Sequence, residues 1–181
     1  MPLRPVLQFP DPHLKRESEP IEKITDEIRS LAADMLDVMY DEPGIGLAAP
    51  QVGENVRLIV VDTDWPSEDE EDEEIPEAER RNPLVLVNPE IVHSEGKLIW
   101  TEACLSVPDF SADVERSERL IVRGTDLDGK PIEEEAEQLR AVCFQHEIDH
   151  LDGLLFIDRI SRLKRSMYVK KRKKMLREEE G

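Results

Sequence analysis

The stretch QHEIDHLDG, residues 145–153, holds two histidines four positions apart, with a glutamate directly after the first. Positions i and i+4 of an α-helix differ by about 40° in direction and about 6 Å in height, so His146 and His150 can bind one metal ion. Glu147 lies about 100° round the helix, where its carboxylate can act as a general base on a water without being a ligand. The alternative is two helix histidines without a metal, one buried and hydrogen-bonded and one at the surface.

Two imidazoles leave a catalytic metal site one protein ligand short. His13 and His93 lie far upstream, and the acids after His150 stand in no convincing ligand context. Cys143 shares the helix but lies about 10 Å of helix rise from His150, too far for one ion with a metal–sulfur bond of about 2.3 Å. Cys143 is therefore interpreted as an apolar residue of a pocket wall or of the core. Cys104, at the end of a predicted strand, is the better candidate for the third ligand, with a free core thiol as the alternative.

The composition predicts one cytoplasmic domain with an aliphatic core. The chain has 181 residues, 39% hydrophobic and only 4% aromatic, and a single core is usual at this length. No apolar run approaches about 20 residues, and the N-terminal stretch MPLRPVLQFPDPHL lacks a secretory signal, so we expect no membrane partner and a cytoplasmic location. The two cysteines are then expected to be ligands, nucleophiles or core thiols and not a disulfide.

The net charge of −18 argues against a general nucleic-acid coat, and no DNA partner is expected, because phosphate binding needs clustered Lys and Arg. Segment 67–81 carries nine acids and two arginines, and the rest of the chain is acidic as well. Arginines outnumber lysines fifteen to nine. The acid excess fits a salt-rich cytoplasm that screens self-repulsion, or an ordinary acidic protein with a mobile acidic loop.

Periodicity predicts three helices and a mostly antiparallel sheet. Thr25 can cap a helix whose apolar residues recur at helical spacing up to Met39, and Ser161 can cap a last helix over 162–177. A further helix is predicted over 134–150, with Gly153 where it could stop. The proline-rich residues 2–20 predict an extended surface arm. Runs of β-branched residues predict strands at 56–62, 84–92, 97–102 and 119–125, and an Asp-Gly turn precedes 131–137.

The stretch GIGLAAPQ, residues 44–51, superficially matches a dinucleotide-binding fingerprint. That fingerprint needs a strand before it and a helix after it, whereas here a predicted helix precedes it and a strand follows. The glycines instead allow close approach of the backbone to a ligand, and Gln51 supplies an amide donor beyond them. A simple tight turn between helix and strand is the alternative.

Together, GIGLAAPQ (44–51), EACLS (102–106) and QHEIDHLDG (145–153) resemble the peptide deformylase family, bacterial type, in their order and spacing. The resemblance covers nearly the whole chain up to about residue 160. It implies an α+β fold, with mostly antiparallel sheets around a central helix carrying HExxH and a C-terminal helix. It also implies one divalent metal held by Cys104, His146 and His150, most often Fe²⁺ in this family, with Zn²⁺, Ni²⁺ or Co²⁺ able to take its place.

The resemblance implies that the chain removes the N-formyl group from the N-terminal methionine of nascent polypeptides and releases formate. Glu147 would take the proton of the attacking water, and the oxyanion would be held by the metal, the side-chain amide of Gln51 and the backbone N–H of Leu105. The family also binds the methionine side chain in an apolar pocket. The matching residues, for which plain core packing is the alternative, are Gly44, Ile45, Gly46, Leu105, Leu139, Val142 and Cys143.

The sequence departs from the family pattern in three places. Ala103 replaces the glycine usual before the metal cysteine, and we expect a small effect if its φ is negative. Ser111 stands where many relatives carry an arginine near the substrate, and Arg116 is available to pair with Glu102 instead. The third departure is the acidic segment, which the resemblance does not explain.

The predicted organisation is a catalytic domain over 1–160, with 66–82 as an acidic loop insertion, and a basic C-terminal helix or tail over 161–181. Nine cations in 162–177 resemble the C-terminal helix through which bacterial deformylases dock on the ribosome, and a solvated helix is the alternative. Two rival functions remain at this point. One is a zinc endopeptidase of the HExxH type with a downstream ligand, and the other is a non-catalytic ribosome-binding protein.

Overall fold

The protein, described by a computed structural model over residues 2–66 and 75–181, is built on two antiparallel sheets. The larger has the strand order β1-β2-β3-β6-β7, and the smaller pairs β4 with β5. The strands are β1 (Gly46–Ala48), β2 (Leu58–Val61), β3 (Leu84–Glu95), β4 (Leu98–Cys104), β5 (Val107–Arg116), β6 (Arg119–Thr125) and β7 (Pro131–Glu137). The helices are α1 (Asp26–Asp41), α2 (Glu77–Arg80), α3 (Gln138–Leu151) and α4 (Arg162–Glu180), with short 3-10 helices at Pro12–Lys15, Ala49–Val52 and Phe156–Arg159. The predicted α+β class is confirmed.

Helix α1 begins as predicted, because the hydroxyl of Thr25 accepts a hydrogen bond from the N–H of Ile28 at 3.4 Å. Its apolar residues lie on one face, bury against β1 and β2, and close one side of the core. Helix α3 packs against the opposite face of the larger sheet, in contact with β1, β2, β6 and β7, so most of its charged and polar motif is buried. The α3 residues that bury include Phe144, Glu147 and His150.

The start of α3 differs from the predicted helix over 134–150. Residues 134–137 belong to β7, which pairs with β6 along its full length, and α3 begins only at Gln138. The backbone turns there through a positive φ of 55° at Gln138. The run of glutamates has helix-forming propensity, but pairing with β6 and inward packing of Ala136 favour the strand instead.

The N-terminal arm is extended apart from the 3-10 turn at Pro12–Lys15, and it ties the three motif regions together. The N–H of Leu7 donates to the carbonyl of Gln51, and that of Phe9 to the carbonyl of Ser106, both at 2.7 Å. A third bond, at 2.7 Å, joins the N–H of Ser18 to the carbonyl of Leu151 at the end of α3. The arm therefore belongs to the scaffold of the site.

Helix α4 is anchored by two buried side chains, Tyr168 and Arg172. The guanidinium of Arg172 donates to the carbonyl of Phe9 at 2.8 Å and to Oε1 of Gln8 at 3.1 Å. The predicted boundary at residue 160 falls between the last 3-10 helix and α4. Over the described ranges, no helix is long and apolar enough to cross a membrane.

Part of the predicted acidic loop, residues 67–74, lies outside the described residues. The remainder contains α2, a single helical turn that the sequence did not predict. Its flanking residue Arg81 packs its guanidinium 4.0 Å from the ring centroid of Tyr40, and Nε of Arg80 donates to the carbonyl of Trp65 at 3.0 Å. These contacts fix the two ends of the segment on the body of the protein.

Candidate metal centre and active site

Three side chains from β4 and α3 bring their ligand atoms together in the structure. Sγ of Cys104 lies 3.4 Å from Nε2 of His150, which lies 3.3 Å from Nε2 of His146. All three atoms lie within 4.8 Å of one another, and over residues 2–66 and 75–181 this is the one such group. Cys104 is the last residue of β4 and follows a break in the β4–β5 register after Ala103. The spacing of i and i+4 on α3 supplies the two imidazoles, as predicted.

A buried carboxylate fixes the orientation of His146. Oε1 of Glu102 lies 2.7 Å from Nδ1 of the imidazole. Because an ionised carboxylate can only accept, Nδ1 carries the proton and Nε2 presents its lone pair to the other two ligand atoms. The predicted pairing of Arg116 with Glu102 is present as a two-bond ion pair at 2.6 and 2.8 Å. The same guanidinium donates to Oδ2 of Asp149 at 2.7 Å. Arg116 on β5 therefore links Glu102 on β4 to Asp149 on α3.

Glu147 lies beside this cluster with an unpaired oxygen. Oε1 is 3.8 Å from Nε2 of His146, and Oε2 is buried and has no hydrogen-bond partner among the described residues. Burial raises the pKa of Glu147 to about 7, and His146 opposes that shift. A carboxyl group with this pKa can both take up and release a proton near neutral pH.

Gly46, in the glycine-containing stretch 44–51, leaves space for the side chain of Glu147. A Cβ at Gly46 would lie 2.8 Å from Sγ of Cys143 and 2.9 Å from Cγ of Glu147, so only glycine fits there. Sγ of Cys143 lies 3.5 Å from the carbonyl of Ile45 as a weak donor. Burial, reinforced by Glu147, raises the pKa of this thiol well above its usual value, so Cys143 stays neutral.

Gln51 is held with its amide nitrogen facing Cys104. Its Oε1 accepts the N–H of Ala48 at 3.0 Å, which leaves Nε2 3.1 Å from Oγ of Ser106 and 3.6 Å from Sγ of Cys104. The sequence did not single out Ser106, or the contact of Glu102 with His146. The contact of Glu102 with His146 could have been predicted from β4, because Glu102 and Cys104 are two residues apart and such residues face the same side of a strand.

A cavity of about 650 Å³ opens above these groups. It is mainly apolar, and it is lined by every residue predicted for the methionine pocket: Gly44, Ile45, Gly46, Leu105, Leu139, Val142 and Cys143. Cys104, His146 and Glu147 lie at its wall as well. Lining residues that the sequence did not predict include Trp100, Asp109 and Phe110.

Comparison with known proteins identifies the family of this chain. A family model described as polypeptide deformylase matches residues 3–166, most of the chain. The chain belongs to the polypeptide deformylase family. The resemblance found from the three motifs is thereby confirmed, and this family is metal-dependent.

Named deformylases match almost end to end. A peptide deformylase from Alkalilimnicola ehrlichii is 48% identical over 178 residues, which cover 98% of this chain and 93% of the relative. One from Bradyrhizobium diazoefficiens is 50% identical over 172 residues, covering 94% and 95%. The crystal structure of the Legionella pneumophila peptide deformylase matches with a TM-score of 0.84 at 40% identity, covering 98% of each chain. That of the Ehrlichia chaffeensis enzyme in complex with actinonin has a TM-score of 0.84 at 35% identity, covering 97% and 98%.

The structure describes two of the positions at which the sequence departs from the expected pattern, Ala103 and Ser111. Positive φ outside glycine occurs, among the described residues, at Asn88, Asp109 and Gln138, so Ala103 adopts an ordinary backbone and its methyl group meets no conformational penalty. Ser111 lies opposite Ala103 in the β4–β5 register and lines the cavity. A short hydroxyl side chain therefore lines the cavity at this position.

Proposed function

We propose that the chain removes the N-formyl group from the N-terminal methionine of nascent polypeptides and releases formate. The observation that carries this proposal is the convergence of Cys104, His146 and His150 beside the buried carboxylate of Glu147, at the wall of an apolar cavity. Membership of the deformylase family supports the substrate class. We also propose a cytoplasmic location, where such polypeptides are made.

The three ligand atoms fit one divalent cation. Tetrahedral bonds of about 2.0 Å to nitrogen and about 2.3 Å to sulfur place ligand atoms about 3.3–3.6 Å apart. The sulfur of Cys104 lies 3.4 Å from Nε2 of His150, which lies 3.3 Å from Nε2 of His146. Three lone-pair atoms this close repel one another unless a cation or a shared proton lies between them, and one cation can contact all three. We assign the ion as Fe²⁺, with Zn²⁺, Ni²⁺ or Co²⁺ accepted by the same ligands. When bound, such an ion supplies Lewis acidity and lowers the pKa of a water to about 7.

Glu147 is the proposed proton carrier. Its unpaired Oε2 accepts the proton of the attacking water, and the raised pKa lets the same carboxyl return that proton to the departing amine. The side-chain amide of Gln51 and the backbone N–H of Leu105 are the proposed oxyanion donors. The hydrogen bond from Ala48 holds Gln51 in place before charge develops, which is the condition for efficient stabilisation.

The apolar part of the cavity is the proposed methionine pocket. Leu139, Val142 and the neutral thiol of Cys143 form one wall, and the backbone of 44–46 forms another. Because the Ehrlichia chaffeensis deformylase was crystallised with actinonin, we propose that actinonin occupies this cavity here too. A downstream third ligand, which the endopeptidase alternative requires, is not found among the described residues.

Iron- or nickel-loaded protein should release formate from formyl-Met-Ala-Ser in equal amounts with free Met-Ala-Ser. The measurement follows formate enzymatically and the free amine by mass spectrometry. Unformylated Met-Ala-Ser and a longer peptide blocked at its N-terminus by an acetyl group serve as controls. Absence of formate with the fully loaded protein would reject the proposed reaction, and cleavage inside the longer peptide would favour the endopeptidase.

We propose that α4 also docks on the ribosome. Four cations at helical spacing form a basic face, defined as Lys170, Lys173, Lys174 and Arg177, and line one surface groove. Such a face suits RNA phosphates, which attract clustered cations even from an acidic protein.

Reversing three charges on the basic face (Lys170→Glu, Lys173→Glu, Lys174→Glu) should weaken co-sedimentation with ribosomes by about tenfold or more and flatten its salt dependence. A control with three reversals elsewhere, at Lys23, Lys97 and Lys130, matches the change in net charge. Equal losses in the two triple variants, or no loss in the first, would reject docking through α4.

A further inference from the structure

The inner face of α4 contacts a bulge in β5 that lines the cavity. The β4–β5 register moves from the pair Ala103–Ser111 to the pair Cys104–Val107, so residues 108–110 bulge from the ladder. Two of these residues, Asp109 and Phe110, line the cavity. The bulge is therefore part of the proposed substrate site.

The backbone of this bulge has an uncommon conformation that α4 contacts directly. Asp109 has a φ of 58°, in the left-handed region that favours glycine. Such a conformation persists when surrounding contacts fix it. Nζ of Lys171, on α4, donates to the carbonyl of Asp109 at 2.9 Å.

The side chain of Phe110 is held by a second contact with α4. Its ring centroid lies 4.8 Å from that of Tyr168, which is only 1% exposed, and 6.0 Å from that of Phe156. Arg172, one turn after Tyr168, anchors α4 by its buried bonds to Gln8 and Phe9. The hydroxyl of Tyr168 has no hydrogen-bond partner among the described residues, so packing of its ring is what holds Phe110.

We propose that Tyr168 and Lys171 are positioning residues, which hold the 108–110 bulge in the shape that binds formylated peptide. The inference rests on the proposed function and extends it, because it makes α4 a part of the substrate site as well as a candidate docking surface. Neither side chain lines the cavity, and the proposed ligands lie on β4 and α3. Loss of either contact should therefore raise KM and leave kcat nearly unchanged.

The test compares Lys171→Ala and Tyr168→Ala with the conservative variants Lys171→Arg and Tyr168→Phe. In nickel-loaded full-length protein on formyl-Met-Ala-Ser, each alanine variant should raise KM about threefold to tenfold with kcat within about twofold. The conservative variants should restore KM. Lys164→Ala, which removes an exposed cation elsewhere on α4, is the matched control. Because Lys171 is exposed, its alanine variant keeps the fold even if Tyr168→Ala does not.

Hydrogen exchange of the amides at 107–112 gives a readout that does not depend on turnover. Exchange should speed up in both alanine variants and stay unchanged in Lys164→Ala. Unchanged KM in Lys171→Ala, or a rise equal to that of Lys164→Ala, would overturn the positioning role even if exchange changed. Turnover by the unsubstituted protein tests the proposed function separately, so failure of the two ideas can be told apart.

Discussion

Glu147→Gln should lower kcat on formyl-Met-Ala-Ser by about 10²- to 10⁴-fold, the usual contribution of a positioned proton carrier. Glutamine keeps the volume of the side chain but cannot take a proton from the attacking water. Its neutral amide also removes a buried acid whose pKa is raised to about 7, so the variant should be no less stable than the parent. Turnover should be measured with saturating peptide and an equal metal content in both proteins.

Two controls isolate the proton transfer. Glu135→Gln makes the same chemical change on the exposed side of β7 and should leave kcat unaltered. Actinonin should bind Glu147→Gln and the parent with similar affinity, which would show that the cavity is intact. A kcat within about tenfold of the parent would contradict the assigned role, because loss of a positioned proton carrier should lower kcat by at least about 10²-fold.

Cys104→Ala should lose the bound metal and, with it, all measurable formate release. The parent is expected to retain about one ion per chain after gel filtration, since three ligands hold it, whereas two imidazoles alone bind weakly. Metal binding to the folded state also contributes stability, about 4 kcal/mol at a free-ion concentration 1,000 times the Kd. A chelator should therefore lower the Tm of the parent and leave that of the variant unchanged.

Cys143→Ala is the matched control for removal of a thiol. Cys143 lies on the same cavity but contacts the carbonyl of Ile45 and is not grouped with the three ligand atoms. Its alanine variant should retain the metal and its chelator-sensitive Tm, even if KM for formylated peptide changes. Retention of metal by Cys104→Ala, measured by elemental analysis, would remove Cys104 from the ligand set.

Local geometry explains which parts of the site the sequence could predict. The relation of His146, Glu147 and His150 depends only on helix periodicity, so their spacing was enough. Cys104 lies far from them in sequence, and its place beside them depends on the tertiary packing that brings the end of β4 next to α3. The residues alone left two possibilities for Cys104, a metal ligand or a free core thiol, and the resemblance to the family favoured the ligand.

Tertiary contacts explain what the sequence did not show. Strand β5 contains Pro108, Asp109 and Ser111, which have low strand propensity, and its structure depends on pairing with β4. Strand β1 is only three residues long and forms against β2. Helix α4 was recognised from its cap, but its basic composition gave no sign that Tyr168 and Arg172 would be buried against the N-terminal arm and the bulge.

X-ray absorption at the edge of the metal, in anaerobically purified or nickel-loaded protein, measures directly whether one thiolate and two imidazoles share a cation. The spectrum should show one sulfur neighbour at about 2.3 Å and two imidazole nitrogens at about 2.0–2.1 Å, with the sulfur signal lost in any metal reloaded into Cys104→Ala. A first shell of nitrogen and oxygen alone in the parent protein would contradict it.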